Sequence, residues 1–185
     1  MGWNRGLDYN ETYKKLASLL RTFRSKISKS KLAQRRFAYL AVLLTQLRNA
    51  SRVLEALDAV IQFANTGERE VRVIVRKYKK NSKGRKSPPR RLIVIPREIK
   101  DSDRLFLSFL TLEHVNHIRV FAVRYLKINT HSLRYALITY LGKLKYPPQI
   151  IANITKHSDW RLIQHYTEEQ VAEELLINLD RIVRI

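Results

Sequence analysis

The 185-residue sequence contains no cysteine and only five glycines and five prolines. Without cysteine, neither a disulfide framework nor a cysteine-ligated zinc cluster can hold the chain together. No apolar run approaches the roughly 20 residues needed to cross a bilayer, and the N-terminus lacks the apolar segment of a signal peptide. We therefore expect a soluble protein, cytoplasmic or associated with the nucleoid, that is stabilised by one hydrophobic core.

Acidic residues are also scarce, because 16 Asp and Glu accompany 36 Lys and Arg and leave a formal net charge of +20. Hydrophobic residues make up 45% of the chain, which is too many for a disordered protein, so this charge lies on a folded surface. Such a surface attracts a polyanion. Nucleic acid is the commonest, although an acidic membrane surface would attract the same residues.

The charge is distributed unevenly along the chain. Residues 76–91 contain nine Lys or Arg and no acidic residue, so we expect this segment to lie outside the buried core. Residues 167–185 contain five acidic and two basic residues and have the opposite sign. Their first four residues, TEEQ, have the spacing of a capping box, which predicts an amphipathic tail helix.

Hydrophobic periodicity predicts that most of the chain is helical. Asn10 is the candidate N-cap of the first helix, within residues 1–30, and Pro147-Pro148 is expected to open a short helix near the end. The other predicted helices cover residues 32–47, 53–61, 105–115 and 118–128, and one opens near residue 130.

Between these helices, residues 70–80 and 92–95 are rich in β-branched side chains. They predict an antiparallel hairpin whose tip carries the basic cluster. The sequence therefore predicts an α+β fold: a single, mainly helical domain over residues 1–185 with a small antiparallel sheet.

Two motifs in the second half of the chain carry chemically useful groups. In His131-Ser132-Leu133-Arg134, an imidazole and a guanidinium share one face of a predicted helix start, where backbone N–H groups favour a phosphate. In KHSDWRLIQHY, His157 and Tyr166 are nine positions apart. They can converge only if a turn intervenes, and Ser158 is a reasonable N-cap for such a break.

Together, HSLR and KHSDWRLIQHY resemble the C-terminal half of the tyrosine recombinase and integrase catalytic domain. Residues 49–57, NASRVLEAL, are similar to the TGLRxSEAL segment that holds the first catalytic arginine of that family. The basic hairpin falls where the family has its catalytic lysine. Asn49-Ala50 replaces the usual Thr-Gly, Tyr135 replaces a frequent His, and Thr155-Lys156 replaces the usual Leu-Gly.

The resemblance implies a DNA strand transesterification. Tyr166 is the expected nucleophile and forms a covalent 3′-phosphotyrosyl link, while Arg52 and Arg134 bind the non-bridging phosphate oxygens. His131 is the candidate for moving the tyrosine proton, Lys79 for protonating the leaving 5′-oxygen, and His157 for a hydrogen bond to the phosphate. Because guanidiniums stay charged, we expect no metal ion. The phosphotyrosyl bond keeps the energy of the cleaved ester, so we expect that rejoining needs no ATP and the reaction no other cofactor.

Some assignments remain open at this point. Arg48 is a rival for Arg52, but only Arg52 is followed by Glu55 at the family's spacing. Lys77 and Lys80 are rivals for the catalytic Lys79. His114 and His117, an HxxH pair, have no obvious acidic partner and are interpreted as structural or surface residues. The residues expected to bind DNA are Arg76, Lys77, Lys80, Lys83, Arg85 and Lys86.

The sequence therefore predicts a site-specific recombinase or integrase of a mobile element, prokaryotic or virus-encoded and closest in character to archaeal viral integrases. Its partner is double-stranded DNA, and the resemblance implies a homotetramer on DNA assembled through the tail helix. The alternative for the tail helix is that it folds back on its own domain. The family's N-terminal DNA-binding domain is expected to be absent. The alternatives are a type IB topoisomerase and a non-catalytic basic DNA-binding protein.

Overall fold

Seven α-helices and a two-stranded antiparallel sheet form the part of the protein that the computed structural model describes, residues 6–75, 89–156, 161, 163 and 164. The expected α+β fold with a single domain is confirmed. In chain order, the elements are α1 (Tyr9–Arg24), α2 (Lys31–Asn49), α3 (Val53–Thr66), β1 (Glu70–Ile74), β2 (Arg90–Val94), α4 (Arg104–Leu107), α5 (Val115–Phe121), α6 (Thr130–Lys143) and α7 (Pro148–Thr155).

Helix α1 begins two residues earlier than the sequence predicted. Asp8 is extended and its Oδ1 accepts a hydrogen bond from the Glu11 N–H at 2.8 Å, so Asp8 is the N-cap and the prediction of Asn10 is wrong. Both residue types cap helices well, and here the carboxylate also lies at the positive end of the helix dipole. Leu16 and Leu20 face the core from this helix.

Helix α2 is the centre of the molecule and packs against α1, α3 and α6. Residues 40–47 are all buried, so the helix is enclosed on every side, as its nearly continuous apolar sequence predicted. Ser30 caps its first turn, and Ala50 ends it in the left-handed conformation with φ 44°. In the described ranges, no helix combines the length and the apolar character needed to span a bilayer.

The predicted hairpin is confirmed. Strands β1 and β2 pair in antiparallel register with Val71 opposite Ile93 and Val73 opposite Arg91, and these four residues face the protein interior. Residues 76–88, which the sequence predicts to form the hairpin tip, and the acidic tail, residues 167–185, lie outside the described residues.

The single helix predicted for residues 105–115 is wrong, because the chain breaks after Leu107. Helix α4 lasts one turn, a 3₁₀ turn follows at Leu112–His114, and α5 begins at Val115. The Thr111 N–H donates to His114 Nδ1 at 3.1 Å and starts a new cap inside the apolar pattern. The next predicted segment continues as α5 and a π-helical turn, Ala122–Leu126.

Helices α6 and α7 begin where the sequence predicted. Asn129 caps α6 by accepting the His131 N–H at 2.9 Å, and Pro148 occupies the first turn of α7. Leu137 and Ile138 of α6, and Ile151 and Ala152 of α7, form a small apolar cluster that also includes Ala50 and Ile163. This apolar cluster packs α6 and α7 against the C-terminal end of α2.

Candidate functional site

The junction between α2 and α3 presents Arg52 at the protein surface. Glu55, three residues later and fully buried, accepts the Arg52 backbone N–H at 3.0 Å and Arg52 Nη1 at 3.1 Å. The carboxylate therefore fixes both ends of the arginine. The Arg52 side chain is 25% exposed, and its Nε and Nη2 form no hydrogen bond with any described residue, so they can bind a ligand from solution.

Arg134 lies beneath this junction on α6 and is only 1% exposed. Its Nη1 donates to the Ala50 carbonyl and its Nη2 to the Thr155 carbonyl, each at 2.7 Å. Burial, together with the nearby cations of Arg52 and Arg91, lowers the pKa of Arg134 to about 10. The two arginines expected from the sequence thus converge, and Arg134 still carries its charge at neutral pH.

A third arginine, Arg91, was missed by the sequence interpretation. The expectation that residues 76–91 lie outside the core is wrong at this position, because Arg91 is 2% exposed. Its Nη1 lies 3.3 Å from Glu55 Oε2 and 3.3 Å from the Thr155 carbonyl, and its Nη2 donates to the Asn49 carbonyl. Burial lowers the pKa of Arg91, while Glu55 acts in the opposite direction.

One signal in the sequence could have identified Arg91. Alternate residues of a strand share a face, so Arg91 has the same phase as the buried Ile93 and Ile95. The high count of basic residues in the run obscured this phase.

We call Arg52, Arg91, Arg134 and Glu55 the arginine cluster. Two of the guanidiniums, those of Arg52 and Arg91, pair with the one carboxylate, and that of Arg134 donates to backbone carbonyls. With three cations and one anion, the cluster carries a formal local charge of +2 in a largely buried setting. Such an excess of buried charge is unfavourable unless an anion or hydrogen bonds compensate it. A phosphate group of a ligand is an anion of matching geometry for exposed guanidinium donors.

A groove with a volume of about 370 Å³ adjoins the arginine cluster, between the hairpin and the C-terminal end of α7. Among the described residues that line it, none is acidic. We call it the basic groove after its five cationic residues: Arg48, Arg72, Arg90, Arg91 and Lys156. Its positive lining favours an anionic ligand next to the arginine cluster.

Arg48 and Arg52, the two candidates for the first arginine, occupy different places. Arg52 forms the ion pair with Glu55, whereas Arg48 lines the basic groove and its Nη1 contacts Asn49 Oδ1 at 3.5 Å. His131 lies in the first turn of α6 and is exposed, with its ring centroid 5.2 Å from that of Tyr135.

The remaining predicted site residues lie outside the described residues, so their positions relative to the cluster stay predictions. They are the catalytic candidates Lys79, His157 and Tyr166 and the expected DNA-binding residues Arg76, Lys77, Lys80, Lys83, Arg85 and Lys86.

The HxxH pair has a structural explanation. His114 Nδ1 accepts the Thr111 N–H at the start of the turn before α5, and the rings of His114 and His117 lie 5.8 Å apart. His114 also packs its ring against Phe109 and Tyr39.

Three known proteins are similar to this chain. The uncharacterized protein MJ0770 of Methanocaldococcus jannaschii is 34% identical over 203 aligned residues, which cover 96% of this chain and 88% of that protein. "Putative integrase ORF241" of Acidianus two-tailed virus is 40% identical over 145 residues, 77% of this chain. The chain covers only 56% of that viral relative's length.

"Putative integrase V10" of Sputnik virophage is 26% identical over 200 residues, which cover 94% of this chain and 88% of that protein. No protein-family model and no solved structure matches the chain. With two relatives named as integrases and a third that aligns along nearly the whole chain, the protein belongs to an integrase-like family that includes a protein of an archaeal virus.

Proposed function

We propose that this protein is a DNA integrase of the tyrosine recombinase type, which cleaves and rejoins DNA strands through a covalent 3′-phosphotyrosyl intermediate. The observation that carries the proposal is the convergence of Arg52 and Arg134 on the Ala50–Glu55 junction, with a net positive charge around them. The two relatives named as integrases support the integration of DNA as the biological outcome.

The arginine cluster suits the transition state of this reaction. Attack on a phosphodiester places extra negative charge on the two non-bridging oxygens of a five-coordinate phosphorus. Arg52 offers donors from the surface, and Arg134 and Arg91 add positive charge from beneath, where the low dielectric strengthens their field. Since guanidiniums keep their charge at working pH, this stabilisation needs no proton transfer.

In the proposed cleavage step, the hydroxyl oxygen of Tyr166 forms a bond to phosphorus as the bond from phosphorus to the 5′-oxygen breaks. His131 takes the tyrosine proton, and Lys79 gives a proton to the leaving oxygen. In rejoining, a 5′-hydroxyl attacks the phosphotyrosine, a new diester forms and the tyrosine is released. One phosphate ester replaces another at each step, so the reaction uses no ATP.

The basic groove gives the DNA backbone a path to this site. Lys and Arg side chains that neutralise phosphates release condensed counterions, which drives binding without reading sequence. On the same proposal, residues 76–88 extend this contact from the hairpin tip. Residues 167–185, which are acidic, dock on a basic neighbouring protomer and assemble a tetramer on DNA.

The decisive experiment measures covalent attachment. The full chain is incubated at low salt with a library of nicked duplexes of randomised sequence, in which the short 5′-hydroxyl strand diffuses away after cleavage. We expect an adduct that survives detergent and is lost on protease treatment, and sequencing the captured strand identifies the target. Tyr166→Phe should bind the same DNA with equal affinity and form no adduct.

Each alternative has its own outcome in this experiment. If the unmodified protein binds DNA but forms no adduct, the proposal is wrong and the protein is a non-catalytic DNA-binding protein. An adduct that persists in Tyr166→Phe would mean that another residue is the nucleophile. If attachment occurs but two marked duplexes never exchange strands while supercoiled plasmid is relaxed, the protein is a topoisomerase.

A further inference from the structure

We infer that Arg91 is the positioning residue of this site, because it holds the Glu55 carboxylate and the Thr155 carbonyl where they orient Arg52 and Arg134. The inference deepens the proposed function and depends on it. Arg91 is not among the residues that the family resemblance assigned, and its side chain is buried within the arginine cluster rather than at the surface.

The first arm of this arrangement runs through Glu55. One oxygen of the carboxylate, Oε1, accepts Arg52 Nη1, and the other, Oε2, accepts both the Arg52 backbone N–H and Arg91 Nη1. Glu55 is fully buried, and among the described residues Arg52 and Arg91 are the cations that form ion pairs with it, so loss of Arg91 removes one of these two pairs. The carboxylate would then bind Arg52 more closely and turn its donors away from solution.

The second arm runs through two backbone carbonyls. Arg91 Nη1 lies 3.5 Å from the Ala50 carbonyl and 3.3 Å from the Thr155 carbonyl, and both of these oxygens also accept Arg134. Each carbonyl therefore lies between two guanidiniums. Because Thr155 ends α7, Arg91 fixes the end of that helix, one residue before Lys156 in the basic groove and two before His157.

A lysine could not reproduce this arrangement. The planar guanidinium of Arg91 reaches acceptors on three separate segments, the end of α2, the start of α3 and the end of α7, whereas an ammonium is a single point of charge. Arg91 Nε is buried and has no hydrogen-bond partner among the described residues. Among the described residues, the side-chain hydrogen bonds of Arg91 are therefore made by its two terminal nitrogens, Nη1 and Nη2.

Arg24, on α1, provides a matched control for the substitutions of Arg91. Arg24 pairs with the buried carboxylate of Asp103 and also donates to the Glu98 carbonyl, so it too joins a carboxylate and a backbone oxygen across separate segments. It lies on α1 and has no contact with the arginine cluster. Like Arg91→Lys, Arg24→Lys should weaken the fold by replacing a guanidinium that bridges a carboxylate and a backbone carbonyl. It should do so without disturbing the arginine cluster.

The experiment uses the full chain and the target strand captured by attachment. Arg91→Lys, Arg91→Met and Arg24→Lys are compared with the unmodified protein for urea stability, DNA affinity and single-turnover attachment rate at saturating DNA. Misplacing catalytic groups by about 1 Å can slow a reaction by about 100-fold. We expect Arg91→Lys to attach at least about tenfold more slowly and Arg91→Met more slowly still, with affinity changed by less than about threefold.

A second measurement separates positioning from stability alone. Each protein is given the scissile phosphate as its two phosphorothioate diastereomers, which replace one non-bridging oxygen or the other. A misplaced Arg52 should change the ratio of the two attachment rates in Arg91→Lys by about threefold or more. Arg24→Lys should keep the attachment rate of the unmodified protein and its ratio of rates for the two diastereomers. This should hold even if its urea midpoint falls as much as that of Arg91→Lys.

The outcomes distinguish the inference from the function on which it depends. An Arg91→Lys protein that attaches at the normal rate with the normal ratio overturns the role of Arg91 and leaves the recombinase proposal intact. Equal losses of rate in Arg91→Lys and Arg24→Lys reduce Arg91 to a stabilising residue. Failure of the unmodified protein to attach overturns both proposals. If Arg91→Met does not fold, Arg91→Lys alone decides.

Discussion

Two residues next to the arginine cluster have left-handed backbone conformations although neither is glycine. Ala50 has φ 44° and Lys156 has φ 54°, and in the family motifs that this sequence resembles both positions are glycine. A side chain in this conformation costs about 1–2 kcal/mol. The Ala50 methyl group is buried in the cluster between α6 and α7, which offsets part of this cost. Lys156 is exposed and gains no such burial.

The strain at Lys156 is explained if its ammonium binds DNA in the basic groove. We predict that Lys156→Gly raises the free energy of unfolding by about 0.5–1 kcal/mol, because relief of the strain exceeds the greater chain entropy of glycine. The same change should weaken DNA affinity about two- to fivefold, as expected for one exposed charge pair. Urea denaturation and DNA titration of the same preparations measure the two effects.

Lys145 is the matched control for this prediction. It is also an exposed left-handed lysine, with φ 61°, but it lies in the turn after α6 and does not line the groove. Lys145→Gly should give a similar gain in stability and unchanged DNA affinity. If Lys156→Gly and Lys145→Gly have the same affinity for DNA, Lys156 does not bind the backbone.

At this scale the sequence could predict pairs close along the chain but not contacts between distant residues. Arg52 and Glu55 are three residues apart, and their ion pair follows from that spacing at a helix start. Arg91 pairs with Glu55 across 36 positions, and composition counts it as one more cation in a basic run. Only the three-dimensional packing of α7 and the α2–α3 junction encloses it.

Among the secondary-structure elements, strand β2 is held on both edges. One edge pairs with β1, and on the other the side-chain amide of Asn49 bonds the Val94 backbone twice, accepting its N–H at 3.0 Å and donating to its carbonyl at 2.9 Å. Asn49 Nδ2 also donates to the Thr45 carbonyl within α2. One side chain thus fastens the strand that carries Arg91 to the central helix.

We predict that Asn49→Leu lowers the free energy of unfolding by about 2–4 kcal/mol, because the partly buried N–H and carbonyl of Val94 both lose their partner. Amide hydrogen exchange of β2 should accelerate more than that of α1, since the loss acts first on the hairpin. Gln62→Leu, which removes a partly buried hydrogen bond to Asp58 within α3, is the control and should change stability by less than about 1 kcal/mol. Equal acceleration in β2 and α1 would contradict a local role for Asn49.

Apolar periodicity predicted which elements exist but not where they end. It ran through residues 105–115 because Leu107 and Leu110 have helical spacing, yet the helix ends after Leu107 and Leu105 is 75% exposed. The break is made by hydrogen bonds from side chains to the backbone, such as that from Ser108 Oγ to the Leu105 carbonyl. Such bonds leave no trace in a hydrophobic pattern.

For the whole molecule, composition indicated the partner class but not the surface that meets it. The net charge of +20 predicts a polyanionic partner, and this prediction needs no knowledge of the fold. The basic groove exists because α2 ends, the hairpin begins and α7 ends at the same place. Arg48, Arg72 and Lys156 come together there from distant parts of the chain.

The salt dependence of DNA binding tests whether this groove, rather than the general positive charge, holds the backbone. The logarithm of affinity falls with the logarithm of salt concentration by about 0.9 for each phosphate neutralised on duplex DNA. We predict that the double variant Arg72→Gln with Arg90→Gln lowers the magnitude of this slope by about 1.8, the value for two lost phosphate contacts. Both residues lie on the hairpin at the groove.

A control with the same loss of charge separates local contact from net charge. Arg119 is exposed on α5 and its Nη1 bonds Asn116, outside the groove. Arg119→Gln should leave the slope unchanged within about 0.3, because diffuse charge contributes little once it is screened beyond a Debye length. If Arg119→Gln lowers the slope as much as Arg72→Gln or Arg90→Gln does alone, the DNA is held by the overall charge of the protein. In that case the groove does not guide the strand to the arginine cluster, and Arg52 must receive its phosphate from another direction.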